Sequence, residues 1–178
     1  SVGSGGAYQI NGVNMIIAST TLYNYFFGNS GNLTATGDYN IGVGQQSLDS
    51  LTSGSQNVAI GGYRALYKNT TGNNNTAIGA YSLTNNIVGS SSVALGYGSG
   101  SNETGSNAFY VGNILQSTIA ADKAYSLLYG NFAGTAGTTT NQFLNVNGNL
   151  SVSGNINATG TISQSGVSVQ NIISFPLP

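Results

Sequence analysis

The sequence predicts an all-β repeat protein: a parallel β-roll or β-solenoid head, followed by a β stalk of shorter period. Three observations predict it. A five-residue box recurs four times at almost constant spacing, a six-residue glycine period takes over near the C-terminus, and small or turn-forming polar residues fill half of the chain. Of 178 residues, 27 are Gly, 24 Asn, 23 Ser and 17 Thr, enough turn chemistry for a corner every few residues. A hydrophobic fraction of 39%, including 11 Tyr and 6 Phe, is too high for a disordered low-complexity chain, so these corners belong to a folded protein.

The boxes are Asn40-Ile41-Gly42-Val43-Gly44, Asn57-Val58-Ala59-Ile60-Gly61, Asn75-Thr76-Ala77-Ile78-Gly79 and Ser92-Val93-Ala94-Leu95-Gly96, spaced by 17, 18 and 17 residues. Between them Ser47-Leu48, Ala65-Leu66 and Ser82-Leu83 stay in phase, and a degenerate box, Tyr110-Val111-Gly112, closes the series. One unit is too short to bury a face, so successive units must stack. Side chains alternate along a strand, which puts Val58 and Ile60 on one face and Ala59 and Gly61 on the other. The expectation is that the branched face fills the interior. The Gly42, Ala59, Ala77 and Ala94 face would then lie against a neighbouring chain.

The second repeat starts at Leu144. Gly148, Gly154, Gly160 and Gly166 lie six residues apart, and Leu150, Ile156 and Ile162 each follow a glycine by two positions. Such a period suits a triangular β-prism or triple β-helix with about six residues per face. One chain could wind this alone, or three chains could each supply a face. The length favours three, because residues 144–169 hold too few single-chain turns for a stable solenoid. The chain therefore divides into an N-terminal β segment (1–35), head-like repeats (36–112), a connector (113–143) and a hexapeptide stalk with its tail (144–178). In the first segment Tyr8 to Asn14 reads as a strand and turn, and Met15 to Phe27 as a strand pair or buried apolar segment resembling neither repeat. In the connector, Ala120 to Ala124 has the composition of one helical turn.

Composition also excludes functions. There is no His and no Cys, which removes thiolate nucleophiles, imidazole bases and Cys/His zinc sites. No cofactor or metal site is expected. Three cations, Arg64, Lys68 and Lys123, are too few to neutralise a nucleic-acid backbone. The most apolar stretch, Met15 to Phe27, is interrupted by polar residues and shorter than the roughly 20 residues that span a bilayer, so no membrane insertion is expected. The four acids, Asp38, Asp49, Glu103 and Asp122, are scattered. Asp38 with Asp49, or Glu103 with Asp122, are the pairs that glycoside hydrolysis would need, but a turn-capping role for Asp38 and pairing of Asp49 with Arg64 or Lys68 account for these residues better. No enzymatic turnover is expected. Six Asn-x-Ser/Thr sequons are about as many as this composition produces by chance.

The repeated boxes, with the Asn69-Thr70-Thr71-Gly72-Asn73-Asn74 linker, resemble the head repeats of trimeric autotransporter adhesins and related phage and virus fibres. The order Ser106-Asn107-Ala108-Phe109-Tyr110-Val111-Gly112-Asn113, Leu128-Tyr129-Gly130-Asn131-Phe132 and Leu144-Asn145-Val146-Asn147-Gly148-Asn149 is similar to stalks that precede chaperone-endosialidase domains in tail fibres. The likeness covers roughly residues 36 to 165. It implies a homotrimer with a left-handed parallel β-roll and an interwoven stalk, exposed on a virion or cell surface and used for attachment. The units here are longer than the roughly 14 residues usual for adhesin heads. Tyr63, Tyr67 and Tyr81, with Asn73, Asn74 and Asn85, are the candidate contacts for a host glycan, since rings stack on sugar C–H faces and amides take hydroxyls. The same residues equally suit packing between turns. The alternative function is a structural filament or spacer with no receptor site.

Overall fold

A computed structural model describes residues 7–10, 13–19, 21–132 and 142–153. The chain is mostly sheet with one short helix, wound as a β-solenoid of about five turns. Ten strands form one sheet in sequence order: β1 (Ala7–Ile10), β2 (Val13–Ser19), β3 (Asn24–Phe27), β4 (Ile41–Gln45), β5 (Val58–Tyr63), β6 (Thr76–Ile78), β7 (Val93–Leu95), β8 (Ala108–Val111), β9 (Leu128–Asn131) and β10 (Phe143–Val146). From β3 to β8 the neighbours are parallel, one strand per turn, with Tyr25, Ile41, Val58, Thr76, Val93 and Phe109 in register. Antiparallel strands close both ends: β1 and β2 before the stack, β9 and β10 after it. The parallel stack thus begins at Asn24-Tyr25-Phe26-Phe27-Gly28, inside the segment that seemed to resemble neither repeat. Aromatics had replaced the aliphatic residues of the box and hid its phase.

Each turn reverses through backbone that only a corner tolerates. Before the strands, Tyr23, Tyr39, Gln56, Asn74, Ser91 and Asn107 have φ between 54 and 62°; after them, Asn29, Gln46, Arg64, Tyr81 and Gly98 have φ between 55 and 65°. Left-handed backbone is unfavourable for residues with a Cβ. Turn-to-turn hydrogen bonds hold it, as from Arg64 N to Gln45 O (2.9 Å) and from Tyr81 N to Tyr63 O (2.9 Å). Segments 63–75 and 81–91 are therefore bonded turn to turn. They form the return wall of the coil and bury Leu66, Asn69, Leu83 and Asn86.

The interior reverses the expected assignment of faces. Ala59, Ala77 and Ala94 are 0% exposed within a single chain, whereas Ile41 (38%), Ile60 (39%), Ile78 (41%) and Leu95 (37%) point outward. The cause is the width of the coil. Leu48, Leu66 and Leu83 cross from the return wall and leave room for little more than a methyl opposite. At the two ends the sizes exchange. Phe26 lies across Gly31, and Tyr110 lies against Gly100, where a Cβ would come within 2.8 Å of the ring. Large is thus set against small at both ends, as close packing requires, with Tyr110 filling the space that Gly100 leaves in the turn before it.

Beside this apolar slot runs a ladder of buried amides. Asn40 Nδ2 donates to Asn24 Oδ1 (3.0 Å), Asn57 Nδ2 to Asn40 Oδ1 (3.1 Å) and Asn75 Nδ2 to Asn57 Oδ1 (3.1 Å). Each Oδ1 also accepts the backbone N–H of the next rung, down to Ser92 N on Asn75 Oδ1 (3.0 Å). The leading residue of each box, Asn24, Asn40, Asn57, Asn75 or Ser92, is therefore a structural rung that holds one turn to the next.

The helix α1 (Ile119–Tyr125), capped by Thr118, closes the C-terminal end. Its turn-forming composition was legible at Ala120 to Ala124, although the helix makes the chain less than purely β. Leu144 lies in the β9–β10 hairpin, and Leu144 and Leu150 are exposed. The later members of the hexapeptide period, Ile156 and Ile162, fall outside the described residues.

Candidate functional site

The corner after the strands gathers three of the six candidate contacts. Tyr63 ends β5, Tyr81 follows β6 and Tyr97 follows β7, and their rings meet edge to face at 5.2 Å (Tyr63 with Tyr81) and 5.9 Å (Tyr81 with Tyr97). Tyr67 joins them through Arg64, whose Cζ lies 4.6 Å from the Tyr63 ring centre and 4.8 Å from that of Tyr67. Arg64 Nε donates to Gln46 Oε1 of the preceding turn at 2.9 Å. The expected pairing of Arg64 or Lys68 with Asp49 is not formed: among the described residues the ion pair within 4.0 Å is that of Lys123 with Glu103.

The other three candidates lie elsewhere. Asn73 and Asn74 precede β6, at the opposite end of the strands from Tyr81. The Asn73 side chain holds neighbouring backbone, with Oδ1 accepting Ser55 N (2.8 Å) and Nδ2 donating to Thr71 O (3.1 Å). Asn74 is exposed at its corner. Asn85 sits on the return wall, its Nδ2 donating to Asn102 Oδ1 at 3.4 Å. The tyrosines thus form one surface, and the asparagines are distributed over two others. Sequence reasoning, which noted Tyr97 among the recurring tyrosines, omitted Gln46 and Arg64 from the site. The signal that finds them is phase, since Gln46, Arg64, Tyr81 and Gly98 occupy one corner position in successive turns.

A second aromatic surface marks the N-terminal end of the other corner, where Tyr23 and Tyr39 stack at 5.1 Å with planes 7° apart. Between the two corners lies the outward sheet face of Ile41, Ile60, Ile78 and Leu95. It runs on to Phe109, which with Phe132, Phe143 and Leu144 lines an apolar cavity of about 420 Å³.

Glu103 and Asp122 do come together, at the C-terminal end of the coil, but their oxygens are engaged. Glu103 Oε2 accepts the Tyr110 hydroxyl at 2.6 Å, and Oε1 accepts Gly105 N (2.9 Å) and Thr104 N (3.1 Å). Asp122 Oδ2 accepts Asn102 N at 2.7 Å, satisfying a donor of the last turn. Burial raises the Asp122 carboxyl, and its hydrogen bonds offset this only in part. Burial also pushes Glu103 upward, but the bonds from Tyr110 and Gly105 and the charge of Lys123 outweigh it, so its carboxyl lies below the usual range. Burial and the bond to Glu103 drive the Tyr110 hydroxyl far up. Glu103, Tyr110 and Lys123 edge a cavity of about 250 Å³. Chemically this is a plug: two carboxylates take the donors that a coil end leaves open. Asp38 and Asp49 lie in separate turns, Asp38 bound through its backbone N to Ser55 Oγ (3.0 Å).

No helix among the described residues is long and apolar enough to cross a membrane. No protein-family model matches the sequence, and comparison with curated proteins and with solved structures returns no match.

Proposed function

We propose that this chain is a module of an attachment fibre, a parallel homotrimer displayed on a virion or cell surface and meeting host glycans or another surface ligand. The observation that carries the reading is the outward sheet face. Parallel sheets are normally covered on both sides, and here one side holds the core while Ile41, Ile60, Ile78 and Leu95 are left to solvent. A second copy is the occupant that matches this face best, because it repeats the same strand spacing of about 4.8 Å layer by layer. Three copies follow from the resemblance to trimeric fibres, with their Ile and Leu faces, and not their Ala faces, turned towards the axis. The C-terminal hexapeptide period would continue the assembly as a stalk.

In this reading the corners face outward and carry attachment, with Tyr63, Tyr67 and Tyr81 as the contact surface, and the chain performs no turnover. Light scattering is expected to give about 54 kDa, three times the 18.0 kDa chain. Glycan-array and cell-binding measurements on the purified protein test attachment. Point substitutions are the suitable probe, since the return segments are wall and cannot be exchanged for Gly/Ser. Binding that survives Tyr63→Ala combined with Tyr81→Ala and Asn74→Ala would leave the chain a structural spacer, the reading favoured by the Asn73 side chain, which is taken up by neighbouring backbone.

A further inference from the structure

The chain has a single arginine, and among the described residues protein acceptors engage only its Nε. Arg64 lies at a left-handed corner (φ 55°), a position that glycine suits better and that Gly98 occupies two turns later (φ 65°). Its guanidinium is fixed by three contacts: the Tyr63 and Tyr67 rings at 4.6 and 4.8 Å, and Gln46 Oε1 at Nε. Those contacts use one of the five N–H donors. Among the described residues the Nη donors bond to no protein acceptor, and no carboxylate lies within 4.0 Å. Lys123 shows the contrast, since its charge is engaged by Glu103.

A guanidinium held in this way presents a fork of parallel donors, the shape that a planar carboxylate fills with two hydrogen bonds. Phosphate and sulfate clusters demand more than one cation, and this corner has one. Around the fork stand Tyr81, whose ring meets that of Tyr63 at 5.2 Å, and the Gln46 amide, which suit a sugar ring and its hydroxyls. Building on the attachment reading above, we infer that the corner formed by Gln46, Tyr63, Arg64, Tyr67 and Tyr81 binds a carboxylate-bearing sugar, a uronic or sialic acid, with Arg64 as the anion anchor. The carboxylate takes the two Nη groups, and the pyranose lies towards Tyr81. Neutral hexoses lack the group that the fork selects.

The test uses the single arginine as its own reporter. In the full-length ¹⁵N-arginine-labelled protein, one Nε–Hε resonance belongs to Arg64. Titration with sodium glucuronate and with sodium N-acetylneuraminate, against methyl glucoside as the neutral control, is expected to move it saturably for at least one acid and not for the control. Which acid acts separates the two sugar classes. Added NaCl weakens the response. Arg64→Gly keeps the backbone of this corner and is expected to lower acidic-sugar affinity at least about tenfold, while Arg64→Lys, which keeps the charge but not the fork, falls between. No movement with either acid, equal movement with the glucoside, or unchanged affinity in Arg64→Gly overturns the inference. Cell attachment that persists in Arg64→Gly overturns the acidic-sugar anchor and leaves attachment standing. A saturable Arg64 response without any attachment keeps the site and removes the attachment role.

Discussion

Replacing Asn57 by Ala should be among the most damaging single changes in this coil, and its cost can be worked from the ladder. Asn57 Nδ2 donates to Asn40 Oδ1 (3.1 Å) and Gly72 O (2.8 Å), and Oδ1 accepts Asn75 N (3.0 Å) and Asn75 Nδ2 (3.1 Å). Asn40 Oδ1 keeps the backbone N–H of residue 57 (3.0 Å), and Asn75 Nδ2 keeps Gly89 O (2.8 Å). Gly72 O and Asn75 N–H lose the partners described here. Each of these two buried groups left bare costs about 1–3 kcal/mol, and the small cavity adds about 1, so the expected loss is about 3–7 kcal/mol. Asn57→Ser should cost less, because Ser92 already serves as a rung, its Oγ accepting Ala108 N at 3.1 Å. Asn86→Leu should have the opposite sign. Asn86 is buried with both amide atoms unpartnered in the described structure, and Leu51 occupies the same wall position two turns earlier. Removing that amide should stabilise the fold by about 1–3 kcal/mol. Urea unfolding at one fixed chain concentration measures all three, since assembly couples to apparent stability. Asn57→Ala within about 1 kcal/mol of the parent, or Asn86→Leu as damaging as Asn57→Ala, would refute the assignment of the ladder as fully bonded and of Asn86 as frustrated.

Two further outcomes follow from the corrected faces and the plug. Ile60→Lys should leave the coil folded by circular dichroism but lower the scattering mass towards that of one chain, whereas Ala77→Arg, at a position with 0% exposure, should unfold it; a folded, fully assembled Ala77→Arg would return the Ala face to the outside. The folded chain holds the Asp122 proton to higher pH than the unfolded chain does, so stability should rise as pH falls from the folded value towards the usual aspartate value of 3.8. Glu103, lowered in the fold, contributes stability above its unfolded value near 4.5 and loses it as pH falls through the folded one. Melting temperatures across pH 3 to 7 should therefore climb into mild acid and then drop, and Asp122→Asn should remove the climb while keeping the drop. A climb that persists in Asp122→Asn would place its origin in another group.

The sequence by itself determined the repeat and its period. Box spacing and turn residues are local signals, and backbone stacking follows from them: Val58 must meet Thr76 once each unit closes on the next. The helical composition at Ala120 to Ala124 was legible for the same reason. Which face of the strand is inside was decided by tertiary structure alone. Alternation shows that Ala59 and Ile60 point apart, but the choice depends on what crosses from the other wall. Leu66 and Leu83 fill a slot too narrow for a second branched side chain. The first box, Asn24 to Gly28, escaped notice because Phe26 compensates for Gly31 and Gly42, an exchange of volume visible only when the turns are stacked. The candidate site shows the same division. Recurring tyrosines marked a corner, but only the coil brings Gln46, Arg64 and Tyr67 from two turns around one guanidinium, because side chains 18 residues apart in sequence become neighbours one strand spacing apart.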